Sequence, residues 1–292
     1  MKTLKIIEPS FVLNKLSFKK AVERLKKMDI KFQLPEKKTP FLFSAGEPLK
    51  RFLELKNALL DKDIEFILAE RGGAGAIHLL PYLKKLKLND KKILIGSSDF
   101  TFLGIYFLEK YKFPFCYGPM LSDIARENFS KMEEKYFIKI LNKENFLYKN
   151  LKGLKILKKG KTEGKLIGGN LTLFVSMLSF FKFSSFKNKI LYLEDVNEAL
   201  YKIDRNLSIL KVKGILDQIN GVIFGKMKNC YTEFSNREFI KLLNEYFNDK
   251  NYPIVLFFPS GHWEPNLPLW IGGEIIIDCK KNTIESRFSY EY

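Results

Sequence analysis

Short apolar runs and stretches of helical periodicity take turns along the first 120 residues, and this alternation constrains the fold more than any other feature. TLKIIE, EFILAE and KKILIG read as strands, while SFKKAVERLKKM and EPLKRFLELKNALLDK carry apolar residues at three- and four-residue spacing. Such a pattern builds βα units around a mainly parallel sheet. From about 123 the character changes: a charged helical stretch, ENFSKMEEKYFIKILNKENF, leads into LKGLKILKKGKTEGK. Beyond it GVIFGKM, YPIVLFF, GEIIID and TIESRFSY read as strands, the last two joined by CKKN as a hairpin, with helical stretches starting near Asn170 and Asn197. The expected organisation is an α/β chain with an N-terminal domain over 1–122, a helical linker over 123–164, and a β-rich α/β domain over 165–292.

The run KKILIGSSDFTFLG, residues 91–104, ends a strand in a glycine, two serines and an aspartate before a second apolar stretch. Ser97, Ser98 and Asp99 are all good helix N-caps. The same residues also make the first half of a nucleophile elbow, in which a tight strand-to-helix turn lifts Ser98 clear of the sheet. The turn alone leaves both readings open. An α/β-hydrolase elbow would want glycine where Phe100 stands.

A serine nucleophile generally needs an imidazole base, and the chain has only two histidines. His78, in GAIHLLPYL, sits inside a helical pattern and reads as a helix-side residue. His262, in FFPSGHWEPNLPLWIGG, follows an apolar strand in a Pro/Gly/Ser loop, where scaffolds present reactive side chains. For an orienting acid, KILYLEDVNEAL ends a strand at Glu194 and Asp195, although Asp195 or Asn197 could instead cap the following helix. Arg71-Gly72-Gly73, in EFILAERGGAG, comes between a strand and a helix, so its backbone N–H groups can approach an anionic centre closely. It matches neither of the glycine-rich nucleotide fingerprints. Gly168-Gly169 before Asn170 poses the same choice between a tight turn and a site.

A formal charge of +17 raises a rival, a basic nucleic-acid-binding protein in which Ser98 is only a cap. Only seven of the 50 basic residues are arginine, the type that base-edge readout and bidentate phosphate clamps favour, and the lysines spread along the whole chain. No specific nucleic-acid partner is expected. Three widely spaced cysteines without a C-x-x-C pair argue against a disulfide framework and a zinc site. The N-terminal stretch lacks the apolar run and small-residue cleavage site of a secretion signal, and no window approaches eighteen apolar residues. A cytoplasmic protein without a membrane partner is the expectation.

Read in order, RGGAG, IGSSD, YGPM, GGNLTL, LYLEDVNEALYKIDR and GHWEPNLPL resemble the LD-carboxypeptidases, serine peptidases of murein recycling related to the microcin C immunity peptidases. The likeness runs from about 64 to 272, and IIEPS is similar to the family's opening strand and turn. It implies a Rossmann-like N-terminal domain carrying the nucleophile Ser98 and a C-terminal domain carrying the acid Glu194 and the base His262. Backbone N–H groups of Asp99 and of the Arg71-Gly72-Gly73 loop would serve the oxyanion and substrate. The implied substrate is a murein tetrapeptide, cleaved between the L-centre of a diamino acid and a terminal D-alanine, without metal or cofactor. Relatives suggest a homodimer. Immunity-type hydrolysis of peptidyl or aminoacyl nucleotides is the alternative. Three positions depart from the family pattern, Ala74 in place of tyrosine, His78 near a usual arginine, and Tyr117 in place of histidine.

Overall fold

A computed structural model describes residues 3–36, 38–88 and 90–291. In the first part lie strands β1 (Thr3–Ile7), β2 (Phe32–Gln33), β3 (Ile64–Ala69), β4 (Ile93–Gly96) and β5 (Phe115–Tyr117). Then come β6 (Phe146–Lys149), β7 (Lys155–Lys158), β8 (Lys161–Asn170), β9 (Ile190–Val196), β10 (Gly221–Lys228), β11 (Ile254–Phe258), β12 (Leu269–Ile271), β13 (Glu274–Asp278) and β14 (Thr283–Arg287). Among the described residues they form two sheets, one ordered β12-β5-β4-β3-β1-β2 and one ordered β6-β14-β13-β8-β9-β10-β11-β7.

In the first sheet β1 to β5 run parallel. Their order, 2-1-3-4-5, is a doubly wound one, in which ligands bind outside the carboxyl ends of the strands. β1, β3 and β4 are buried throughout, which explains why their sequences read as continuous apolar runs rather than alternations. The two expected helices form at Lys15–Lys27, capped by the Asn14 side chain, and at Pro48–Leu60, with Pro48 in the first turn. The second sheet has a parallel centre, β8 to β11, with antiparallel strands on both sides. The hairpin expected around CKKN is β13–β14.

Residues 123–164 hold the helix Lys131–Leu141, which the Ser130/Glu133 capping box starts, and also β6 and β7, the two edge strands of the second sheet. Strand β12 leaves the C-terminal part of the chain to pair antiparallel with β5 of the first sheet. The helix Thr101–Tyr111, which follows the Ser98 turn, is buried from Thr101 to Glu109. It packs on β4 and β5 on one side and on β8 and the helix Leu171–Met177 on the other. An all-round apolar sequence suits a helix enclosed in this way.

Candidate active site

The turn after β4 does not cap a helix through a side chain. Ser97 is extended and gives no side-chain cap, while Ser98 has φ +57°, a left-handed conformation that a non-glycine residue adopts at a cost of about 1–3 kcal/mol. That strain is what a nucleophile elbow requires, because it turns the serine hydroxyl out of the sheet. Gly72, in the loop after β3, makes room for it: a Cβ there would stand 2.8 Å from Ser98 Oγ.

Asp99, beside the serine, has its carboxylate buried and used within the protein. It accepts from Ser10 Oγ at 2.5 Å and from the Ala76 N–H at 2.8 Å. The buried Arg51, which neighbours it, donates to the carbonyls of Pro9, Gly46 and Gly75. The Asp99 side chain thus joins the loops after β1, β3 and β4, and burial raises its pKa. Only its backbone N–H is left to serve an anion.

His262 lies on the loop after β11, with Nε2 3.0 Å from Ser98 Oγ and Nδ1 2.8 Å from Glu194 Oε2. Glu194 is fully buried on β9 and has no acidic proton to offer, so Nδ1 carries the hydrogen and Nε2 is free to accept from the serine. Burial alone would raise the Glu194 pKa, but the His262 charge and hydrogen bonds from His262 and Tyr117 bring it below the ordinary carboxylate value. Burial alone would lower His262, and the Glu194 carboxylate outweighs it, so its pKa is raised. Gly261, at φ +88°, is where a side chain is impossible, since its Cβ would meet Glu194 Oε2 at 2.4 Å. Asn266 Oδ1 accepts from the Gly261 N–H, and the Asn266 N–H donates to Glu133, so the helix Lys131–Leu141 braces this loop.

Asp195 points elsewhere. It accepts from Asn170 Nδ2, from the N–H and hydroxyl of Thr172, and from the Val196 N–H. It serves the start of the helix Leu171–Met177, with Asn170 as N-cap, and not the helix Leu200–Val212 that follows it in sequence. His78 is exposed in a 3-10 turn, Ala76–Leu79, and takes no part in the Ser98 constellation.

A cleft of about 520 Å³ runs past Ser98 and His262 and is also lined by Arg71, Gly72, Gly73, Arg126, Lys228 and Trp263. Arg126 is neutralised by Asp123, Glu133 and Glu264. Among the described residues Arg71 has no carboxylate partner; its guanidinium donates to the Val12 carbonyl at 3.3 Å and lies over the Phe11 ring. Arg126, Lys228 and Trp263 were not legible as site residues. Their one signal is position, since Lys228 ends β10, Arg126 follows the YGPM motif and Trp263 is part of GHW, each at or beyond the end of a parallel strand.

Residues 4–118 match the LD-carboxypeptidase N-terminal domain, and residues 163–277 match the LD-carboxypeptidase C-terminal domain. A probable murein peptide carboxypeptidase of Bacillus subtilis (strain 168) is 28% identical over 246 residues, 82% of this chain and 77% of that protein. The microcin C7 self-immunity protein MccF of Escherichia coli is 29% identical over 97% of this chain and 91% of its own. The structure of MccF in complex with glutamyl sulfamoyl guanosine superposes with a TM-score of 0.87 at 24% identity, covering 100% of this chain and 97% of that one, and so shares the fold. With both domain models matched in order along one chain, this protein belongs to the LD-carboxypeptidase family and is an enzyme.

Proposed function

We propose that the chain is a serine LD-carboxypeptidase that releases the terminal D-alanine from murein tetrapeptide at the L-centre of a diamino acid. The hydrogen-bonded series Ser98–His262–Glu194, set on a strained turn at the edge of the cleft, is the observation that carries this reading. His262 Nε2 takes the proton of Ser98 as Oγ attacks the scissile carbonyl, and Glu194 stabilises the imidazolium. His262 then returns the proton to the leaving amine of D-alanine, and water, activated by the same imidazole, hydrolyses the acyl-enzyme. The N–H groups of Asp99 and of Gly72-Gly73 serve the oxyanion, each such donor being worth about 3 kcal/mol in other enzymes. Arg71, which has no carboxylate partner among the described residues, suits the terminal carboxylate that an exopeptidase must recognise.

The test is hydrolysis of purified tetrapeptide, with tripeptide and D-alanine as the expected products. The epimer ending in L-alanine is expected to react far more slowly, because an acyl pocket shaped for an L-centre beside a D-residue misplaces the other configuration. Comparable rates on the two epimers would point to a general peptidase.

One observation favours a second reading, amide hydrolysis of an aminoacyl or peptidyl nucleotide. Trp263, beside the base, keeps 39% of its surface exposed in the cleft, where a nucleobase can stack, although the Lys226 ammonium already lies 4.8 Å from its ring centre. Cleavage of an aminoacyl sulfamoyl nucleoside with no turnover of tetrapeptide would select it.

The raised His262 pKa sets a pH dependence for either substrate. A protonated imidazole cannot accept the serine proton, so kcat/KM is expected to climb with pH along an acid limb centred above about 6.5, the unperturbed imidazole value. A pH–rate profile with its acid limb centred below 6 would count against His262 as the base paired with Glu194.

A further inference from the structure

We propose that the Tyr117 hydroxyl is a positioning group that holds the Ser98 turn and sets how much of the Glu194 charge His262 feels. Tyr117 ends β5, is fully buried, and sits at a position noted in the sequence only as a departure from the family pattern. Its oxygen accepts the Ser98 N–H at 3.0 Å and donates its own hydrogen to Glu194 Oε1 at 2.6 Å. One hydroxyl therefore joins the backbone of the nucleophile turn, on the first sheet, to the acid on β9 of the second.

The two carboxylate oxygens of Glu194 divide the work. Oε2 takes both the ring Nδ1–H and the backbone N–H of His262, and Oε1 takes Tyr117. The hydroxyl cannot move away: β5 pairs with β4 at Gly96–Tyr117, the ring meets Tyr192 edge-on at 5.2 Å, and Gly169 leaves room for no more than a hydrogen against it. Burial holds the phenol far above its ordinary pKa, so it stays a donor throughout the working pH range. Donation to Oε1 draws negative charge from the carboxylate and so tempers the rise of the His262 pKa. Acceptance from the Ser98 N–H gives the left-handed turn a fixed partner.

The inference rests on the Ser98–His262–Glu194 reading, and the test separates the two. The protein has only two histidines, so in protein labelled with ¹⁵N-histidine each imidazole can be titrated by NMR without any substrate. In Tyr117→Phe, His262 is expected to titrate about one pH unit higher than in the wild type. With tetrapeptide, kcat is expected to fall about tenfold, with KM little changed and the acid limb displaced by the same amount as the NMR titration. A merely structural tyrosine would lower the melting temperature and leave the His262 titration where it was, which would overturn the proposal. If Tyr117→Phe does not fold, 3-fluorotyrosine at 117 keeps the shape and makes the phenol a stronger donor. It is then expected to move His262 in the opposite direction, and an unchanged titration would again overturn the proposal. Failure of the wild type to cleave tetrapeptide would reject the proposed substrate and leave the NMR result to decide on Tyr117.

Discussion

Ser98→Ala is expected to lower kcat on tetrapeptide by about 10⁶, the scale on which a serine peptidase depends on its nucleophile, while the chain stays folded. The hydroxyl stands at the edge of the cleft with His262 Nε2 as its partner, so its loss leaves no sealed cavity and strands no buried donor. Stability should change by no more than about 0.5 kcal/mol. Ser97→Ala, at an extended and buried position that makes no cap, should keep its activity. Tripeptide formation followed by chromatography, beside circular dichroism of each variant, decides the matter. An inactive Ser97→Ala beside an active Ser98→Ala would move the nucleophile back by one residue.

Glu194→Gln should cost up to about 10⁴ in kcat, the loss seen when a serine protease exchanges its orienting carboxylate for an amide. Both oxygens of Glu194 accept hydrogens, one from Tyr117 and the other from His262. An amide supplies only one accepting oxygen, so its NH₂ must confront a donor on one side, and the charge that supports the imidazolium is gone. Asp195→Asn is expected to do the reverse, keeping kcat and losing about 1–3 kcal/mol of stability, because all of the Asp195 partners are donors as well. Measuring kcat and a denaturation curve for both variants separates the roles. A crippled Asp195→Asn beside a near-normal Glu194→Gln would transfer the acid to Asp195.

The parts of this molecule that announce themselves in sequence are those governed by local periodicity. β1, β3 and β4 and the first two long helices could be read because each hides its own face in one core, and the β13–β14 hairpin because its turn is short. The place of β12 could not be read. Nothing in LWI says that it will cross to the first sheet, since that pairing depends on a strand more than 150 residues away. Within the candidate site, Ser98, Glu194 and His262 were legible through a resemblance in motif order, not through spacing. The task of Tyr117, visible in sequence only as a departure from the family pattern, stayed hidden for a physical reason: its hydroxyl acquires that task only when β9 brings Glu194 to it. Asp195 misled in the other direction, because an acid before a helix looks like that helix's cap, and its real partners, apart from the neighbouring Val196 N–H, lie some 23 to 25 residues earlier.

The crossing of β12 also bears on how such proteins can be recombined. Only ten residues, 259–268, separate β11 in one sheet from β12 in the other, and His262 rides on that span. A chimera cut near residue 163, where the two matched regions invite a junction, would import a foreign C-terminal half together with a foreign edge strand for the resident first sheet. The donor of the base therefore has to fit the recipient along Phe115–Tyr117 before it can fit a substrate, and the two halves will be inherited as a matched pair rather than exchanged as cassettes.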